Sequence, residues 1–404
     1  MIFKKSLEFW FLFFTVVGYL ISSAIAIPLG IEDGRVFSYS YRAMIFFASF
    51  VILVKEFRIE KIKNYPVLLF LVFWIFYLTK FYYSLHNHFY ESTIDSYNDK
   101  YIRILMIVLV PSLALMLLDY TKIDFQKLSK YFFWLLLVVL FFNLLYGIFH
   151  FNGNFRLSFI FNIYYISYGH YGTSLALISL YFLLFSNTKS IYFIGLLLGL
   201  LTIFLSTARS PILAFAVVSF FFVLMKKRRK FLIIYFILFV LSIIGIYVYG
   251  RRGYVDFQFL NRTYNWLFLG DNSLRTPLFQ KAIKYFRNNV LIGDRVFFEN
   301  GFYPHNIFLE LLMATGILGL VLYFLKFLPV LLNMNLFLNL ENNKYYTLMF
   351  SLFLQYFVLV NTSYSLIAVS EFLYLSAIII GISLNYSYEK IKSNDGSRYS
   401  SRNY

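Results

Sequence analysis

Long apolar runs that carry few or no charges recur from one end of this chain to the other. Most of them have the length of about 17–25 residues that an α-helix needs to cross a bilayer. Of the 404 residues, 60% are hydrophobic and only 14% are charged, whereas soluble domains average roughly 45–50% apolar and about 25% charged residues. The sequence therefore predicts an all-α fold, a polytopic transmembrane helical bundle without a separate soluble domain.

The predicted spans, about twelve of them, fall near residues 9–30, 41–54, 65–84, 101–118, 131–149, 168–186, 190–206, 210–225, 231–249, 305–332, 345–361 and 364–385. They divide the chain into an N-terminal transmembrane bundle of about nine spans (1–249), a large periplasmic loop (250–304), C-terminal transmembrane helices (305–386) and a disordered cytoplasmic tail (387–404). The first span also resembles a secretory signal, since Lys4 and Lys5 precede it, but a retained span is the usual form when many spans follow.

The net charge of +17 could indicate a nucleic-acid partner, but the distribution of the charges indicates membrane topology. With the N-terminus in the cytoplasm, the predicted inner segments carry 20 Lys and Arg residues and the short outer loops carry 5. The positive-inside rule then places both termini in the cytoplasm, and the basic run at 226–230 is a topology signal. The chain has no cysteine, which excludes disulfides and thiolate metal sites.

The long loop at 250–304 is different, because it carries eight basic and four acidic residues on the side that short loops keep free of positive charge. Within it, apolar side chains recur at helical spacing from Leu274 to Phe286, while Lys281, Lys284 and Arg287 recur at intervals of three. This pattern predicts an amphipathic helix that lies on the outer membrane surface with its apolar face down. The helix would either cap the bundle or bind an anionic substrate.

Two arginines lie at predicted outer helix ends. Arg209 stands between two spans that are joined by almost no loop, and a helix N-terminus with an arginine suits a phosphate group. Arg156 lies in the short outer loop FNGNFRLSFIFN. Either arginine could instead extend towards lipid headgroups, as basic side chains at a membrane edge often do.

A histidine opens the first helix after the loop. Stepping by four and three from His305 gives Leu309, Leu312, Gly316 and Gly319 on one face, where glycines allow a neighbouring helix to approach. His305 would then point into the bundle at its outer end, and the helix N-terminus would keep it neutral, as a general base requires. Asn306 and Glu310 would line the same cavity. A structural role for a helix-end histidine is the alternative.

The segment from His305-Asn306 to Gly316 and Gly319 resembles the H-N-x9-G-x-x-G signature of the O-antigen ligase family, whose fold and chemistry are shared with many O-antigen polymerases. STARS (206–210) is similar to the family's T-x-S-R segment, with Ala208 in place of the usual serine. The stretch 271–293 is similar to its loop helix, with Arg275 in the place of that helix's arginine. Residues 155–172 are a looser match to an arginine-led outer loop.

One departure concerns the residues after the loop helix. Family members often have Pro and then Gly-x-Gly there, whereas this chain has Val290-Leu291-Ile292-Gly293-Asp294-Arg295. Arg295 would be an added phosphate contact.

The resemblance implies that a saccharide is transferred from undecaprenyl diphosphate to a sugar hydroxyl at the periplasmic face of the inner membrane, either on lipid A-core (ligase) or on another lipid-linked repeat unit (polymerase). His305 would be the general base. Arg209 and Arg275 would hold the diphosphate, and Arg156, Asn306, Arg295, Glu310, Lys281 and Arg287 would contact substrate. The departing diphosphate carries concentrated negative charge, and no ATP is present outside the cytoplasm. That charge must therefore be stabilised by fixed cations such as arginines.

The resemblance implies a single displacement that inverts the anomeric carbon, with no cofactor. No DxD motif occurs in the chain, so we expect the reaction to be metal-independent. Two other functions are compatible with a basic, polytopic chain. A flippase or transporter for lipid-linked sugars would show internal repeats and broken helices near the midplane, but the sequence shows no such repeat. A membrane scaffold without catalytic activity is the third possibility.

Overall fold

A computed structural model describes residues 6–26, 35–57, 59–90, 100–149, 165–186, 190–226, 229–252, 258–270, 275–339 and 344–400. Within these ranges every regular element is a helix, and there is no strand. The predicted all-α class is therefore confirmed for the part of the chain that the structure covers.

The described residues contain fourteen longer helices. In chain order they are α1 (Leu7–Ala26), α2 (Arg35–Glu56), α3 (Tyr65–Asn87), α4 (Lys100–Leu117), α5 (Phe125–Phe149), α6 (Tyr165–Phe185), α7 (Ser190–Leu205), α8 (Arg209–Met225), α9 (Arg229–Arg251), α10 (Gln258–Phe268), α11 (Arg275–Asn288), α12 (Ile307–Leu325), α13 (Lys344–Val360) and α14 (Ser370–Ser400). Short helical turns at Ile59–Ile62, Tyr120–Lys122, Leu328–Leu332 and Met334–Leu338 connect some of them.

Five helices among the described residues are long and apolar enough to cross a bilayer: Phe37–Glu56, Tyr65–Asn87, Lys100–Leu117, Phe125–Phe149 and Ile307–Leu325. Shorter apolar helices accompany them at Leu7–Ser22, Ser190–Leu205, Arg209–Met225, Tyr235–Arg251 and Lys344–Val360. The chain is thus a multi-pass helical membrane protein. The span count of about twelve and the large outer loop stay predictions.

One end of the bundle carries a network of ion pairs. Lys55 at the end of α2 lies 2.6 Å from Glu8 at the start of α1. Lys122 lies 3.1 Å from Glu56 and 3.0 Å from Asp119, just after α4. These contacts hold α1, α2 and the turn after α4 together at one end of the bundle. A polar cavity lies at the other end.

Helix α11 packs against α12, and its predicted position on the outer membrane surface stays a prediction. Leu278, Ala282 and Tyr285 of α11 belong to one apolar cluster with Leu309 and Met313 of α12. Ala282 and Tyr285 are buried in this contact. Part of the apolar face of α11 is therefore covered by the same chain, while Ile283, Lys284 and Arg287 are exposed.

Helix α12 is interrupted at Gly316, where the backbone adopts φ 64° and ψ −162°. The segment after α11 crosses α12 at this point, with Ile317 N donating to Val290 O at 3.0 Å and Leu318 N donating to Leu291 O at 3.1 Å. A Cβ on Gly316 would lie 2.4 Å from the carbonyl carbon and oxygen of Leu291. Backbone groups that the break releases from the helix are thus satisfied by the crossing segment.

The two glycines of the motif therefore have different surroundings. The neighbour of Gly316 is the crossing segment 290–293, and the sequence predicted a neighbouring helix there. A Cβ on Gly319 would first meet the side chain of Thr315 in its own helix, at 2.0 Å. At the end of the chain, α14 continues to Ser400, past residue 387, where the sequence predicts a disordered tail.

Candidate active site

A cavity of about 620 Å³ opens at the end of the bundle opposite the ion-pair network. Its walls come from the ends of α1, α2, α4, α6, α13 and α14, together with the segment 297–305 and the turn between α13 and α14. We call that turn (361–369) the connecting turn. His305 is one of the lining residues, so the structure places the predicted base at the mouth of a cavity large enough for a sugar-sized ligand.

The backbone and side chain of His305 are both fixed. Its φ is 57°, a left-handed conformation in which histidine and asparagine are over-represented among residues other than glycine. The ring nitrogen Nδ1 lies 2.7 Å from the carbonyl oxygen of Ser363. A carbonyl can only accept, so Nδ1 carries the proton, and in the neutral ring the lone pair is then on Nε2.

Burial lowers the pKa of His305, the hydrogen bond to Ser363 raises it, and the charge of Arg275 lowers it again, with a net shift below the ordinary value of 6.5. Near neutral pH the imidazole is therefore uncharged. A neutral imidazole whose orientation is fixed through Nδ1 can accept a proton at Nε2.

This shift predicts the pH dependence of activity. If His305 is the base, kcat/KM is expected to stay level as the pH falls through 6.5 and to decline only at lower pH, because the base works in its neutral form. Removal of the neighbouring charge in Arg275→Gln should raise the pKa of His305 and move the acidic limb to higher pH. A pH–rate profile with the purified protein in liposomes measures both limbs, and a wild-type limb above 6.5 contradicts the assignment.

Ser363 links His305 to Arg275 and to Ser210, the residue after Arg209, although neither of these two arginines is among the residues that line the cavity. Its hydroxyl oxygen lies 3.5 Å from Nη2 of Arg275, the first residue of α11. The same hydroxyl bonds to Ser210 at 2.7 Å, next to Arg209, the first residue of α8. Three segments that are far apart in the sequence thus meet at Ser363, which sequence reasoning did not identify.

Asn306 and Glu310 hold the connecting turn against α12 and are not among the residues that line the cavity. The Asn306 side chain caps α12 by accepting from Leu309 N at 3.1 Å and donates to Asn361 O at 3.1 Å. Glu310 is fully buried and accepts from Leu366 N at 2.9 Å. Together with the bond from His305 to Ser363, these contacts fix the turn at three points.

The remaining predicted residues lie elsewhere. Lys281 and Arg295 both pair with Glu299, at 2.6 and 2.9 Å, and the Arg295 guanidinium lies 4.2 Å from the centre of the Tyr285 ring. Burial alone would raise the pKa of Glu299, but the bonds from Lys281 and Tyr285 hold it at about 2. These groups brace the segment after α11, while Arg287 is exposed and Arg156 lies outside the described residues.

Four charged residues line the cavity that sequence reasoning did not assign to the site: Arg42, Lys100, Arg103 and Glu371. Glu371, in the first turn of α14, accepts a hydrogen bond from the Tyr171 hydroxyl at 2.9 Å. The signal for three of them was present, because Arg42, Arg103 and Glu371 fall within predicted spans, where ionisable groups mark functional positions. Among the described residues, no group of three or more His, Cys, Asp and Glu is placed to hold a metal ion.

Comparison with known proteins agrees with the resemblance drawn from the sequence. Residues 194–324 match a family model described as O-antigen ligase. This stretch runs from α7 to α12 and includes Arg209, Arg275 and His305, whereas Arg42, Arg103 and the connecting turn lie outside it. A search of curated proteins found no significant match. The match supports the resemblance, and over residues 194–324, about a third of its length, this multi-pass membrane protein is similar to the O-antigen ligase family.

Proposed function

We propose that the chain is a membrane glycosyltransferase that moves a saccharide from undecaprenyl diphosphate to a sugar hydroxyl of lipid A-core. The observation that carries this proposal is the placement of His305 at the cavity, with Nδ1 bonded to Ser363 and Arg275 beside the same serine. A base with a free nitrogen and a nearby fixed cation are the two groups that glycosyl transfer from a diphosphate needs.

In the proposed reaction the acceptor hydroxyl gives its proton to Nε2 of His305 while its oxygen attacks the anomeric carbon of the donor. The bond between that carbon and the diphosphate oxygen breaks, and the diphosphate leaves with the electron pair. Arg275 and Arg209 stabilise the negative charge that develops on the leaving group, since guanidinium pairs with phosphate through two parallel hydrogen bonds. Attack from the face opposite the leaving group inverts the anomeric carbon.

The same arrangement supports a second function, the joining of lipid-linked repeat units by an O-antigen or capsular polysaccharide polymerase. Both reactions use the same donor and the same base and differ in the acceptor. The cavity end is proposed to face the periplasm, because the ion-pair network with Lys55 and Lys122 lies at the other end, on the side to which the positive-inside rule assigns the cytoplasm. The protein would thus lie in the bacterial inner membrane with both termini in the cytoplasm.

The test is a deletion strain that carries the wild-type gene or the Arg275→Lys variant, with surface glycans and the undecaprenyl-linked pool analysed together. Lysine keeps the charge but loses the paired hydrogen bonds, so we expect transfer to fall by roughly tenfold or more. Full-length glycan left on the lipid carrier with bare lipid A-core indicates a ligase. Single repeat units on lipid A-core indicate a polymerase.

The matched control is Arg251→Lys, because Arg251 is an exposed arginine at the end of α9. It should transfer glycan like the wild type. If deletion of the gene changes neither the surface glycan nor the lipid-linked pool, the proposed function is wrong, and a transporter or a scaffold becomes the better explanation.

A further inference from the structure

A second histidine lines the same cavity as His305, and the reaction described above does not use it. It is His170, in the second turn of α6, with 3% of its surface exposed. Its ring nitrogen Nε2 is buried and has no hydrogen-bond partner within the part of the chain that the structure describes. A buried polar atom without a partner costs free energy, so the place of His170 at the cavity indicates that a bound molecule supplies the partner.

The packing of α6 fixes the position of His170. A Cβ on Gly169 would lie 2.6 Å from Ser206 Oγ and 2.7 Å from Pro211 Cγ, so this glycine lets α6 pack closely against the start of α8. On α13, the side chain of Gln355 is fully buried, and its Nε2 donates to the His170 carbonyl at 2.9 Å. The turn of α6 that carries His170 is thus held by two neighbouring helices, which suits a residue that positions a ligand.

The two histidines contact consecutive residues of the connecting turn. Nδ1 of His305 bonds to the Ser363 carbonyl at 2.7 Å. The centre of the His170 ring lies 5.1 Å from the centre of the Tyr364 ring, and the Tyr364 hydroxyl bonds to Ser167 at 2.8 Å. Both histidines line one cavity, and consecutive residues are about 3.8 Å apart at Cα, so a single saccharide can contact both.

The side chains around His170 suit a sugar ring. Tyr356 and Tyr364 both line the cavity and pack edge to face with the imidazole, with ring centres 5.9 and 5.1 Å from its own. Aromatic side chains commonly pack against the C–H faces of sugars. Glu371 also lines the cavity and accepts a hydrogen bond from the Tyr171 hydroxyl at 2.9 Å, and a carboxylate has about four acceptor positions. The wall therefore offers apolar contact together with groups that bind hydroxyls.

The cavity is assigned to the acceptor, because neither Arg209 nor Arg275, which would hold the donor diphosphate, is among its lining residues. We propose that His170 binds one hydroxyl of the acceptor sugar while a neighbouring hydroxyl of the same sugar reaches Nε2 of His305. A hydroxyl both donates and accepts, so it can pair with the imidazole in either tautomer. This inference rests on the proposed function and adds to it a residue that selects acceptors by their hydroxyl pattern.

The experiment uses the full-length protein in liposomes with the acceptor that the wild type glycosylates, lipid A-core or the lipid-linked repeat unit. The probes are versions of that acceptor in which each hydroxyl of the terminal sugar is replaced by hydrogen in turn. His170→Phe keeps a ring that packs against Tyr356 and Tyr364 and removes both nitrogens, whereas His170→Gln keeps a donor and an acceptor. His86→Phe, at an exposed position of α3, is the matched control. The donor KM, the acceptor KM, the pH–rate profile and thermal unfolding are measured for each variant.

We expect His170→Phe to raise the acceptor KM by roughly tenfold, the contribution of one hydrogen bond, with the donor KM and the acidic limb of the pH–rate profile unchanged. Its unfolding temperature should equal or exceed that of the wild type, because Nε2 has no partner to lose among the described residues. The wild type should lose a similar factor with one monodeoxy acceptor. His170→Phe should use that acceptor as well as the complete one, since the contact is already absent, and His170→Gln should recover part of the affinity.

Three results overturn the inference: an unchanged acceptor KM in His170→Phe, a raised donor KM, or a His170→Phe variant that discriminates among the monodeoxy acceptors as the wild type does. Where His170→Phe does not fold, His170→Gln decides. It should discriminate less than the wild type against the monodeoxy acceptor that the wild type rejects, and equal discrimination contradicts the inference. Failure of the proposed function itself looks different, since the wild type would then transfer to neither lipid A-core nor the lipid-linked repeat unit.

Discussion

Replacing His305 with asparagine is expected to lower glycan transfer by about 10²–10⁴-fold, the usual contribution of a general base, while the protein stays folded. Asparagine suits this position because it tolerates the left-handed backbone at φ 57° better than alanine does. Its amide can also donate to the Ser363 carbonyl in place of Nδ1. What the variant lacks is a basic nitrogen in the position of Nε2.

The matched control is His86→Asn, on the last turn of α3, where the exposed imidazole bonds to the backbone of its own helix at Tyr82. Transfer is measured with the purified variants in liposomes, and thermal unfolding is followed in the same preparations. Transfer by His305→Asn within threefold of the wild type would show that Nε2 is not the base. A loss in both variants would point to a general effect of the substitution.

The position of His305 at a helix start could be predicted from sequence, because the motif and the apolar run after it define where α12 begins. Its hydrogen bond to Ser363 could not, because the two residues are 58 positions apart and no local pattern links them. In the sequence, Ser363 falls in the short gap between the predicted spans 345–361 and 364–385, and most of the connecting turn falls within the second span. The role of the connecting turn as the meeting point of α8, α11 and α12 arises only when the helices pack.

The hydrogen-bond partners of Asn306 and Glu310 could not be predicted from the sequence either. Both were predicted to line the cavity with His305, on the argument that polar groups in an apolar segment face a polar space. In the structure their partners are the backbone groups of Asn361 and Leu366. A buried polar group can find its hydrogen-bond partner in the backbone of a turn as well as in a polar cavity. Sequence spacing does not distinguish these two arrangements.

The periodicity of the sequence predicted helix α11, but it did not predict what α11 packs against. An amphipathic pattern shows which face is apolar and leaves open whether lipid or another helix covers that face. Here part of it packs in a cluster with Met313 and Leu309 of α12, while Ile283 is exposed. The π-helical segment Ile104–Leu109 of α4 is a second feature without a sequence signal.

The largest effect on stability is expected for Gly316→Ala. At φ 64° and ψ −162° the backbone is in a region that is essentially restricted to glycine, and another residue there costs of order 1–3 kcal/mol. The new Cβ would also lie 2.4 Å from Leu291 and 2.6 Å from Gly293 N, all backbone atoms. The crossing segment must then move away, and the two hydrogen bonds it makes to Ile317 and Leu318, each worth about 1 kcal/mol, are lost.

We therefore expect Gly316→Ala to lower the free energy of unfolding by several kcal/mol, about 3 or more, measured by thermal or denaturant unfolding in detergent. Gly245→Ala in α9 is the matched control, since a Cβ there meets nothing within 4 Å, and alanine is a better helix residue than glycine. Gly319→Ala should also lose stability, because its Cβ would lie 2.0 Å from Thr315 Oγ1 and 2.2 Å from Thr315 Cβ, and side-chain rotation moves the first of these atoms but not the second.

The Gly316→Ala substitution is also expected to affect Arg275 and His305 differently. Displacement of the crossing segment is expected to shift α11, which begins with Arg275, whereas His305, Asn306 and Glu310 each bond directly to the connecting turn. Where Gly316→Ala protein is still recovered, the donor KM should rise and the acidic limb set by His305 should move to higher pH as Arg275 withdraws. An unfolding temperature equal to that of Gly245→Ala would mean that the crossing of 290–293 over α12 does not hold the site together.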